Sequence, residues 1–343
     1  WLPQFATVSP PVSIGEYFMS GKPDVLLVGH KKPTIVNGLA NAVTLHALID
    51  AKDPDAFLAP LTDKISGIAV AYTAYKIDAA LMQRLPKLKM ISSFGVGYDH
   101  VDAKWAGAHG ITVTNTPDVL NEEVADTALG LLLMTARELP QGERYLRAGK
   151  WPQGGYRLSP ATMRDRTVGI VGMGRIGRAI GKRLEAFGVP VVYHSRNPQQ
   201  GVTYTYYPKL LDMARDVDTL MLIVPGGAAT KNMINAEVLK ALGPNGIVIN
   251  MARGSVIDEP ALIDALKNNT IMSAGLDVFV NEPHVPAELM AMENVVLLPH
   301  LGSASVHTRR AMDQLVVDNL LAYFAGKPPL TPVPETPWPP KQG

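Results

Sequence analysis

Three polar side chains stand just beyond predicted strands in the second half of this 343-residue chain. Arg253 follows the apolar run 247–250, Glu282 lies within AGLDVFVNEP, and His300 follows the apolar run 295–298. Parallel strands end at one edge of a sheet, so groups distant in sequence can meet in one crevice there. Taken singly, each residue also has an ordinary interpretation, as part of a turn, a solvated loop or a satisfied structural histidine.

Together, these side chains suit the reduction of a 2-oxo acid. The carbonyl carbon must receive a hydride, and the carbonyl oxygen must receive a proton. Histidine can donate a proton near neutral pH, and a neighbouring carboxylate fixes its tautomer and favours the charged ring. Arginine offers a planar, permanently charged fork for the substrate carboxylate. A nicotinamide would supply the hydride, so the chemistry requires neither a metal nor a protein nucleophile.

A glycine-rich segment indicates where such a cofactor would bind. Gly172, Gly174 and Gly177 form a G-x-G-x-x-G pattern between the apolar run 168–171 and a segment of helical periodicity. The glycines allow a tight turn, close approach to a pyrophosphate, and close helix–strand packing. N–H groups at the helix start can bind the phosphates. An ordinary glycine turn is the alternative, but the flanking elements favour a dinucleotide site.

The residues after the next predicted strand indicate which dinucleotide to expect. A dinucleotide site usually has Asp or Glu about 20 residues after the glycines, where it binds the ribose hydroxyls. Here the strand 190–193 is followed by His194, Ser195 and Arg196. Because a guanidinium stands where the carboxylate is expected, we expect NADP(H), with NAD(H) as the weaker alternative. A solvated surface arginine is the other interpretation.

Composition limits the class of protein. The chain has a formal net charge of +1, 47% hydrophobic residues and no cysteine. No basic block favours nucleic acid or an anionic membrane as a partner. The lack of cysteine excludes thiol catalysis, thiolate metal sites and disulfides. No apolar run reaches the roughly 18 residues that span a bilayer. We therefore expect a cytoplasmic protein.

Alternating apolar runs and helical segments predict the elements that position these residues. Such alternation is typical of βαβ units and parallel sheets. The first block contains four predicted strands and two helices: strands 25–28, 68–71, 90–94 and 111–114, and helices 37–48 and 78–84. The second contains six strands, as in a complete dinucleotide-binding sheet: 168–171, 190–193, 219–224, 247–250, 273–276 and 295–298. Further helices are predicted at 121–137, 236–242, 259–268 and 304–324.

These elements predict an α/β protein with two doubly wound parallel-sheet domains. Residues 119–302 would form a Rossmann domain that binds NADP. Residues 19–118 and 303–333 would form a smaller, flavodoxin-like substrate domain, because no strand follows the last long helix and it can pack back on the first block. Residues 1–18 are expected to be a flexible or vector-derived leader. Residues 334–343 are expected to be an extended or disordered, proline-rich tail.

Five motifs resemble those of the D-isomer-specific 2-hydroxyacid dehydrogenases. In chain order they are GVGYDHVD (95–102), the glycine pattern, NMARGSVIDEPALIDAL (250–266), AGLDVFVNEP (274–283) and LPHLGS (298–303). The resemblance runs from about residue 19 to residue 333. It implies that Arg253 binds the substrate carboxylate and carbonyl. It also implies that His300 is the acid/base and that Glu282 orients and charges His300.

The resemblance implies further contacts. The N–H groups of Val96 and Gly97 would hold the substrate carboxylate, and Asp277 would lie near the nicotinamide carboxamide. The expected cofactor contacts lie in the glycine loop and at strand ends: Gly172, Met173, Gly174, Arg175, Ile176, Gly177, Ser195, Arg196, Val224, Pro225, Thr230, Met251, Ala252, Asp277 and Gly302. A metal site built on Asp99, His100 and Asp102 is disfavoured because no further ligand cluster supports it.

Within the family, three segments are similar to the glyoxylate/hydroxypyruvate reductase branch: GKWPQGGYRLSP (149–160), YHSRNP (193–198) and FAGKPPLTPV (324–333). That branch includes hydroxyphenylpyruvate reductases and typically prefers NADPH. The likeness implies reduction of small 2-oxo acids to D-2-hydroxy acids by a homodimer. Trp151 would reach the substrate pocket, commonly from the partner subunit, unless it only packs a loop. Tyr72 and Tyr75 would close the substrate end.

Related enzymes and a non-enzymatic function are the alternatives. A formate dehydrogenase would have Gln in place of Glu282. Many phosphoglycerate dehydrogenases have a C-terminal regulatory domain and an acid near position 195. An NAD(P)-sensing binding protein of the same fold, like the transcriptional corepressors, would keep an acid after the second strand of the sheet. Turnover of a 2-oxo acid with NADPH separates an enzyme from a sensor.

Overall fold

The computed structural model describes residues 21–71 and 75–339, which form two compact units. The first unit comprises the described residues up to Thr116 and from Met312 onwards, and the second runs from Pro117 to Ala311. Each contains one parallel β-sheet. The predicted α/β class with two parallel sheets is confirmed. The assignment of substrate binding to the first unit and of cofactor binding to the second stays a prediction. The predicted leader, residues 1–18, lies outside the described residues.

The first unit has five strands in the flavodoxin-like order β2-β1-β3-β4-β5. The strands are β1 (Asp24–Val28), β2 (Thr44–Ala47), β3 (Ile65–Val70), β4 (Met90–Ser93) and β5 (Thr112–Thr114). The helices between them are α1 (Pro33–Leu39), α2 (Pro54–Leu58), α3 (Ala79–Gln83) and α4 (Ala103–Ala108). The central strands are buried on both faces, as expected for a parallel sheet covered by helices.

The predicted helix 37–48 is wrong over most of its length. Helix α1 ends at Leu39, and residues 44–47 form the edge strand β2, which pairs with β1. In a segment this short, the apolar residues Leu45 and Leu48 fit more than one periodicity. Hydrogen bonding to the backbone of the buried strand β1 makes this segment a strand.

The second unit has seven strands in the order β12-β11-β10-β9-β6-β7-β8. This is the doubly wound 3-2-1-4-5-6 order with one further strand. The strands are β6 (Val168–Val171), β7 (Val191–His194), β8 (Thr205–Tyr207), β9 (Thr219–Leu222), β10 (Ile247–Asn250), β11 (Ser273–Leu276) and β12 (Val295–Leu297). The helices are α5 (Asn121–Arg137), α6 (Leu139–Arg147), α7 (Arg175–Ala186), α8 (Leu210–Asp216), α9 (Ala236–Leu242), α10 (Glu259–Lys267) and α11 (Ala287–Ala291).

The six strands predicted for this sheet are all present, but the seventh, β8, was not predicted. Strand β8 has three residues and lies at the edge, where its side chains are exposed or half-buried. Such a strand lacks the buried apolar run that identifies its neighbours. The last helix, α12 (Val306–Phe324), is continuous across the boundary between the second and first units.

The burial of Arg166 and the hydrogen bonds of Thr336 were not predicted from the sequence. Arg166 is 5% exposed and donates to the carbonyl oxygens of Asp218, at 2.7 Å, and Asn245, at 3.0 Å. It thereby ties together the chain before β6, β9 and β10. Thr336, within the predicted tail, is buried, and its hydroxyl bonds both the N–H and the carbonyl of Val113. The described part of the tail, residues 334–339, is therefore anchored at Thr336. None of the helices described is long and apolar enough to cross a membrane.

Candidate active site

The glycine loop connects β6 to α7. Gly172 has φ +107°, a left-handed value that favours glycine. A Cβ on Gly177 would lie 2.2 Å from the carbonyl oxygen of Gly172, so any side chain there would push the helix from the strand. A Cβ on Gly174 would meet nothing within 4 Å. The loop therefore has a tight turn, close helix–strand packing, and an open face at the start of a 12-residue helix.

This arrangement fits a dinucleotide. The open face at Gly174 and the N–H groups at the start of α7 can meet a pyrophosphate. At the end of β7, Ser195 is half-buried and Arg196 is exposed, and residues 195–200 (SRNPQQ) contain no carboxylate. A phosphate on the adenosine ribose would therefore meet a cation and no like charge. The residues present fit NADP(H) on charge as well as on shape.

Arg253 follows β10 in extended backbone and is half-buried. Its Nη1 donates to the Ala252 carbonyl at 2.7 Å. The Asn250 side chain donates to the Arg253 carbonyl at 3.0 Å and accepts from the Ala252 N–H at 3.0 Å. A Cβ on Gly254 would lie 1.9 Å from the carbonyl carbon of Phe279. The turn that carries Arg253 thus packs directly on the loop after β11.

The loop that carries His300 is held by Asp277, at the end of β11. Asp277 is 2% exposed, and its carboxylate accepts the N–H groups of Leu301, at 2.6 Å, and Gly302, at 2.9 Å. Burial raises the pKa of Asp277, against the effect of these two N–H groups. The Asp277 carbonyl accepts the His300 N–H at 2.9 Å. His300 itself has φ +53°, a left-handed backbone conformation that the surrounding bonds maintain.

His300 and Glu282 form a direct pair. The imidazole Nδ1 lies 2.8 Å from Oε2 of Glu282, and Oε1 accepts the Phe279 N–H at 3.0 Å. Burial raises the pKa of Glu282, but the hydrogen bond and charge of His300 oppose that effect. The Phe279 N–H and the charge of Arg253 act in the same direction as His300. The net result is a pKa below the ordinary value, so Glu282 is a carboxylate at neutral pH.

The other predicted cofactor contacts lie around the same edge of the sheet. Val224 adjoins the glycine loop, because a Cβ on Gly172 would lie 3.0 Å from its Cγ1. The Thr230 hydroxyl donates to the Pro225 carbonyl at 2.7 Å, which closes the turn after β9. Three further residues, Met251, Ala252 and Gly302, are buried beside Arg253 and His300 in the chain. These positions suit cofactor contacts, which stay predictions.

Two predicted substrate contacts lie in the first unit, after β4. Gly95 has φ +119°, and its N–H donates to Oγ1 of Thr116 at 2.9 Å. The Asn115 amide donates to the Val96 carbonyl at 2.8 Å. Two adjacent residues, Asn115 and Thr116, therefore fix the start of the loop that presents the N–H groups of Val96 and Gly97. Tyr72 lies outside the described residues.

The remaining predicted residues are two exposed aromatic side chains and the disfavoured metal ligands. Trp151 is 64% exposed, and Tyr75 is 38% exposed. Asp102 caps α4 by accepting the Trp105 N–H at 3.0 Å. Among residues 21–71 and 75–339, no cluster of three His, Asp or Glu side chains could hold a metal ion.

Two residues that support the site, Asn250 and Gly254, are not among the predicted site residues, and Asp277, predicted as a cofactor contact, has a further role. Asn250 holds both sides of the turn before Arg253, Gly254 allows that turn to pack on Phe279, and Asp277 clamps the loop after His300. Asn250 and Gly254 flank Arg253 directly after a strand, and that position is the available sequence signal. The Asp277 clamp joins residues 24 and 25 positions apart, so only the fold reveals it.

Comparison with known proteins places the chain in a family. Residues 129–302 match the family described as D-isomer specific 2-hydroxyacid dehydrogenase, NAD binding domain. The chain is 50% identical over 256 residues to glyoxylate/hydroxypyruvate reductase A of Arabidopsis thaliana, covering 75% of this chain and 82% of the relative. It is 48% identical over 256 residues to hydroxyphenylpyruvate reductase of Plectranthus scutellarioides, with the same two coverages, 75% and 82%.

A solved structure is similar along most of the chain. It is the NADPH-dependent glyoxylate/hydroxypyruvate reductase of Sinorhizobium meliloti, in complex with NADP and malonate. The sequences are 52% identical, the TM-score is 0.88, and the match covers 92% of this chain and 98% of the other. The chain therefore belongs to the D-isomer specific 2-hydroxyacid dehydrogenase family.

Proposed function

We propose that this protein is an NADPH-dependent reductase of small 2-oxo acids that yields D-2-hydroxy acids. Glyoxylate and hydroxypyruvate are the first substrates to consider, and hydroxyphenylpyruvate is the next, because relatives named for these activities are about half identical to the chain. The observation that carries the proposal is the 2.8 Å contact between His300 and Glu282. This pair lies at the edge of the sheet where the glycine loop also lies.

The cofactor, when bound, supplies the hydride that reduces the carbonyl carbon. This chain's residues would bind it at both ends of the adenosine diphosphate part. The N–H groups at the start of α7 and the open face of Gly174 would meet the pyrophosphate. Ser195 and Arg196 would bind the 2′-phosphate, which is the feature that distinguishes NADPH from NADH.

His300 would supply the proton. Glu282 accepts a hydrogen bond from Nδ1, which fixes the ring orientation. The second ring nitrogen, Nε2, would then donate its proton to the carbonyl oxygen as the hydride reaches the carbonyl carbon. The reaction consumes one proton for each 2-oxo acid reduced, and the neutral imidazole afterwards takes a proton from solvent. Glu282 stays a carboxylate throughout.

Arg253 would orient the substrate. Its guanidinium is positively charged at all relevant pH values and can bind a carboxylate and a carbonyl oxygen through parallel N–H groups. Asn250 holds the backbone on both sides of it, so the guanidinium starts from a fixed base. The N–H groups of Val96 and Gly97, in the first unit, are also proposed to bind the substrate carboxylate. A site that binds a carboxylate would select 2-oxo acids over simple aldehydes and ketones.

The alternatives predict other features. A nucleotide sensor has no need of a proton donor that is paired with a carboxylate, as His300 is with Glu282. A phosphoglycerate dehydrogenase-like enzyme would usually have an acid near the end of β7, where this chain has Ser195 and Arg196. We therefore place both alternatives second.

A homodimer is the proposed assembly. Four large apolar side chains on α6 and the segment after it are 51–94% exposed: Leu139, Leu146, Trp151 and Leu158. A second copy would cover this apolar surface. Sedimentation should then report about twice the 36.9 kDa chain mass, and Leu146→Glu should lower it. A monomeric wild-type protein would contradict the assembly. We also propose a cytoplasmic location, with which a cysteine-free chain is compatible.

Steady-state kinetics with four substrates test the function. Glyoxylate, hydroxypyruvate, pyruvate and hydroxyphenylpyruvate should each be assayed with NADPH and with NADH. We expect the highest kcat/KM for glyoxylate or hydroxypyruvate with NADPH. Absence of turnover with every 2-oxo acid would contradict the proposal, and preference for NADH would contradict the role of Arg196.

A further inference from the structure

The loop after β7, residues 195–200, is folded by its own hydrogen bonds. The Ser195 hydroxyl donates to the Asn197 carbonyl at 2.7 Å. The Gln199 side-chain amide donates to the same carbonyl at 3.0 Å. The loop is therefore compact, although Arg196, Asn197 and Gln200 are exposed to solvent. We call it the 195–200 loop.

Two tyrosines anchor this loop to the sheet. The Tyr206 hydroxyl, on the edge strand β8, donates to the Ser195 carbonyl at 3.2 Å. The Tyr193 hydroxyl, on β7, accepts the Gln199 N–H at 2.9 Å. The two tyrosines are register partners in adjacent strands, and their ring centroids are 5.4 Å apart. One ring is 2% exposed and the other half-buried, so both hydroxyls are held in place.

The helix of the glycine loop makes a third attachment. Arg178, on α7, donates through Nη2 to the Gln200 carbonyl at 2.8 Å. The Gly172 N–H also donates to the His194 carbonyl, at 2.9 Å, directly before the 195–200 loop. The loop is thus fixed at its start, its middle and its end. The unpredicted strand β8 supplies the attachment nearest to Arg196.

We propose that Tyr206 and Tyr193 are positioning residues that set the preference for NADPH over NADH. This inference rests on the proposed binding of the 2′-phosphate by Ser195 and Arg196. A loop fixed before binding loses little conformational freedom when the phosphate binds, and affinity rises for that reason. NADH lacks this phosphate, so its affinity depends little on where the loop places Ser195 and Arg196. The tyrosine hydroxyls therefore act on the cofactor through the loop, without touching it.

The test uses Tyr206→Phe in the full chain, with Tyr207→Phe as a matched control. Tyr207 is the next residue on β8, and its hydroxyl donates to Asp216 at 3.0 Å, away from the loop. Dissociation constants for NADPH and NADH are measured without substrate, from the change in reduced-nicotinamide fluorescence. Tyr206→Phe should weaken NADPH binding about three- to tenfold, the effect of losing one hydrogen bond, and NADH binding less than twofold. The control variant should leave both constants within twofold of the wild-type values.

A double-mutant cycle with Arg196→Gln distinguishes positioning from a general loss of structure. If Tyr206 acts through the phosphate contact, Tyr206→Phe should have almost no further effect on NADPH binding once Arg196→Gln is present. Equal weakening of NADPH and NADH by Tyr206→Phe, or an effect equal to that of Tyr207→Phe, would overturn the proposal. Tyr193→Phe, which keeps the buried ring, should repeat the pattern of Tyr206→Phe.

Failure of the cofactor assignment would give a different result. If Arg196 does not bind a 2′-phosphate, Arg196→Gln alone would change NADPH and NADH binding equally, whatever the tyrosine variants do. Because binding is measured directly, absence of catalytic turnover would not obscure either result. Loss of the tyrosine effect with a retained Arg196 effect would overturn only the positioning role.

Discussion

His300 and Glu282 are the residues on which the proposed chemistry depends most. Burial raises the pKa of Glu282, but the hydrogen bond and charge of His300 lower it, and the net pKa lies below the ordinary value. Arg253 adds positive charge near Glu282, and the Phe279 N–H bonds its other carboxylate oxygen. Glu282 is therefore held as a carboxylate from several sides, and its oxygen Oε2 is aimed at the imidazole.

The first prediction concerns Glu282→Gln. The neutral amide removes the charged acceptor that holds Nδ1 of His300, so the ring is no longer fixed in the orientation that the proton transfer needs. The kcat for glyoxylate reduction should therefore fall about tenfold or more, while the dissociation constant for NADPH stays within twofold of the wild-type value. The matched control is Glu288→Gln, because Glu288 is exposed and pairs with Lys267. A kcat that stays at the wild-type value would remove Glu282 from this role.

The lowered pKa of Glu282 also predicts how stability depends on pH. Because the pKa is lowered in the folded protein, the contact with His300 stabilises the fold above the ordinary carboxylate pKa. That contribution is lost as the pH falls through the lowered value. The free energies of unfolding of the wild type and of Glu282→Gln should accordingly differ most in the neutral range and least in strong acid.

The second prediction concerns Arg196→Asp. A carboxylate in place of the guanidinium would repel a 2′-phosphate and accept hydrogen bonds from unmodified ribose hydroxyls. KM for NADPH should rise about a hundredfold or more, since roughly 3 kcal/mol or more separates an attracted from a repelled phosphate. KM for NADH should stay the same or fall. Arg164→Asp is the control, because Arg164 is exposed and precedes β6, at the amino end of that strand. Equal losses with both cofactors would refute the assignment.

In the glycine loop between β6 and α7, Gly174 suits ligand binding and Gly177 suits packing of the fold. Gly174 faces open space and has φ −78°, whereas Gly177 lies against the Gly172 carbonyl. One glycine therefore keeps room for a ligand, and the other keeps room for the protein's own backbone. Strand β6 and helix α7 can approach closely only because Gly177 has no side chain.

The third prediction uses this difference. Gly174→Ala should weaken NADPH binding about tenfold or more while the Tm of the free protein changes little. Gly177→Ala should lower both, because overpacking of a filled site costs about 1–3 kcal/mol. Calorimetry gives Tm, and fluorescence titration gives the affinity. A large fall in Tm for Gly174→Ala would show that Gly174 has a structural role instead.

Elements with strong local signals were predicted from the sequence, whereas the edge strands β2 and β8 were not. Helix α5 has the predicted bounds 121–137, because Glu122 and Glu123 suit its positive end and Arg137 its negative end. Strands β2 and β8 are short and partly exposed, so only their neighbours in the sheet reveal them. Prolines predicted an extended or disordered tail, and the hydrogen bonds that hold Thr336 to Val113 carry no signal in the sequence.

Part of the candidate site was predictable, because its residues follow strands that have strong local signals. Arg253, Glu282 and His300 each follow a buried strand, so their position in sequence places them at one edge of the sheet. The contact between Glu282 and His300 is present in the structure. The clamp formed by Asp277 and the anchoring of the 195–200 loop by tyrosines depend on partners distant in sequence. The residue types of Asp277 and of the two tyrosines do not by themselves predict these contacts.

At the scale of the whole molecule, the second unit contains most of the proposed machinery. Its single sheet presents the glycine loop, Arg253, Glu282 and His300 at the carboxyl ends of its strands. In the first unit, the loop at Val96 and Gly97 is held by hydrogen bonds within that unit. Membership of the family follows from the match over residues 129–302, and the solved NADP complex is similar over 92% of the chain.

In the proposed reaction, His300 supplies the proton, so turnover depends on this residue more than on any other. His300→Asn removes the acid, and asparagine tolerates the left-handed backbone at φ +53°. Initial rates with glyoxylate and NADPH should be measured beside the dissociation constant for NADPH. We predict that kcat falls about 10²- to 10⁴-fold while the NADPH constant stays within twofold of the wild-type value. If the variant retained turnover within tenfold of the wild type, His300 would not be the proton donor.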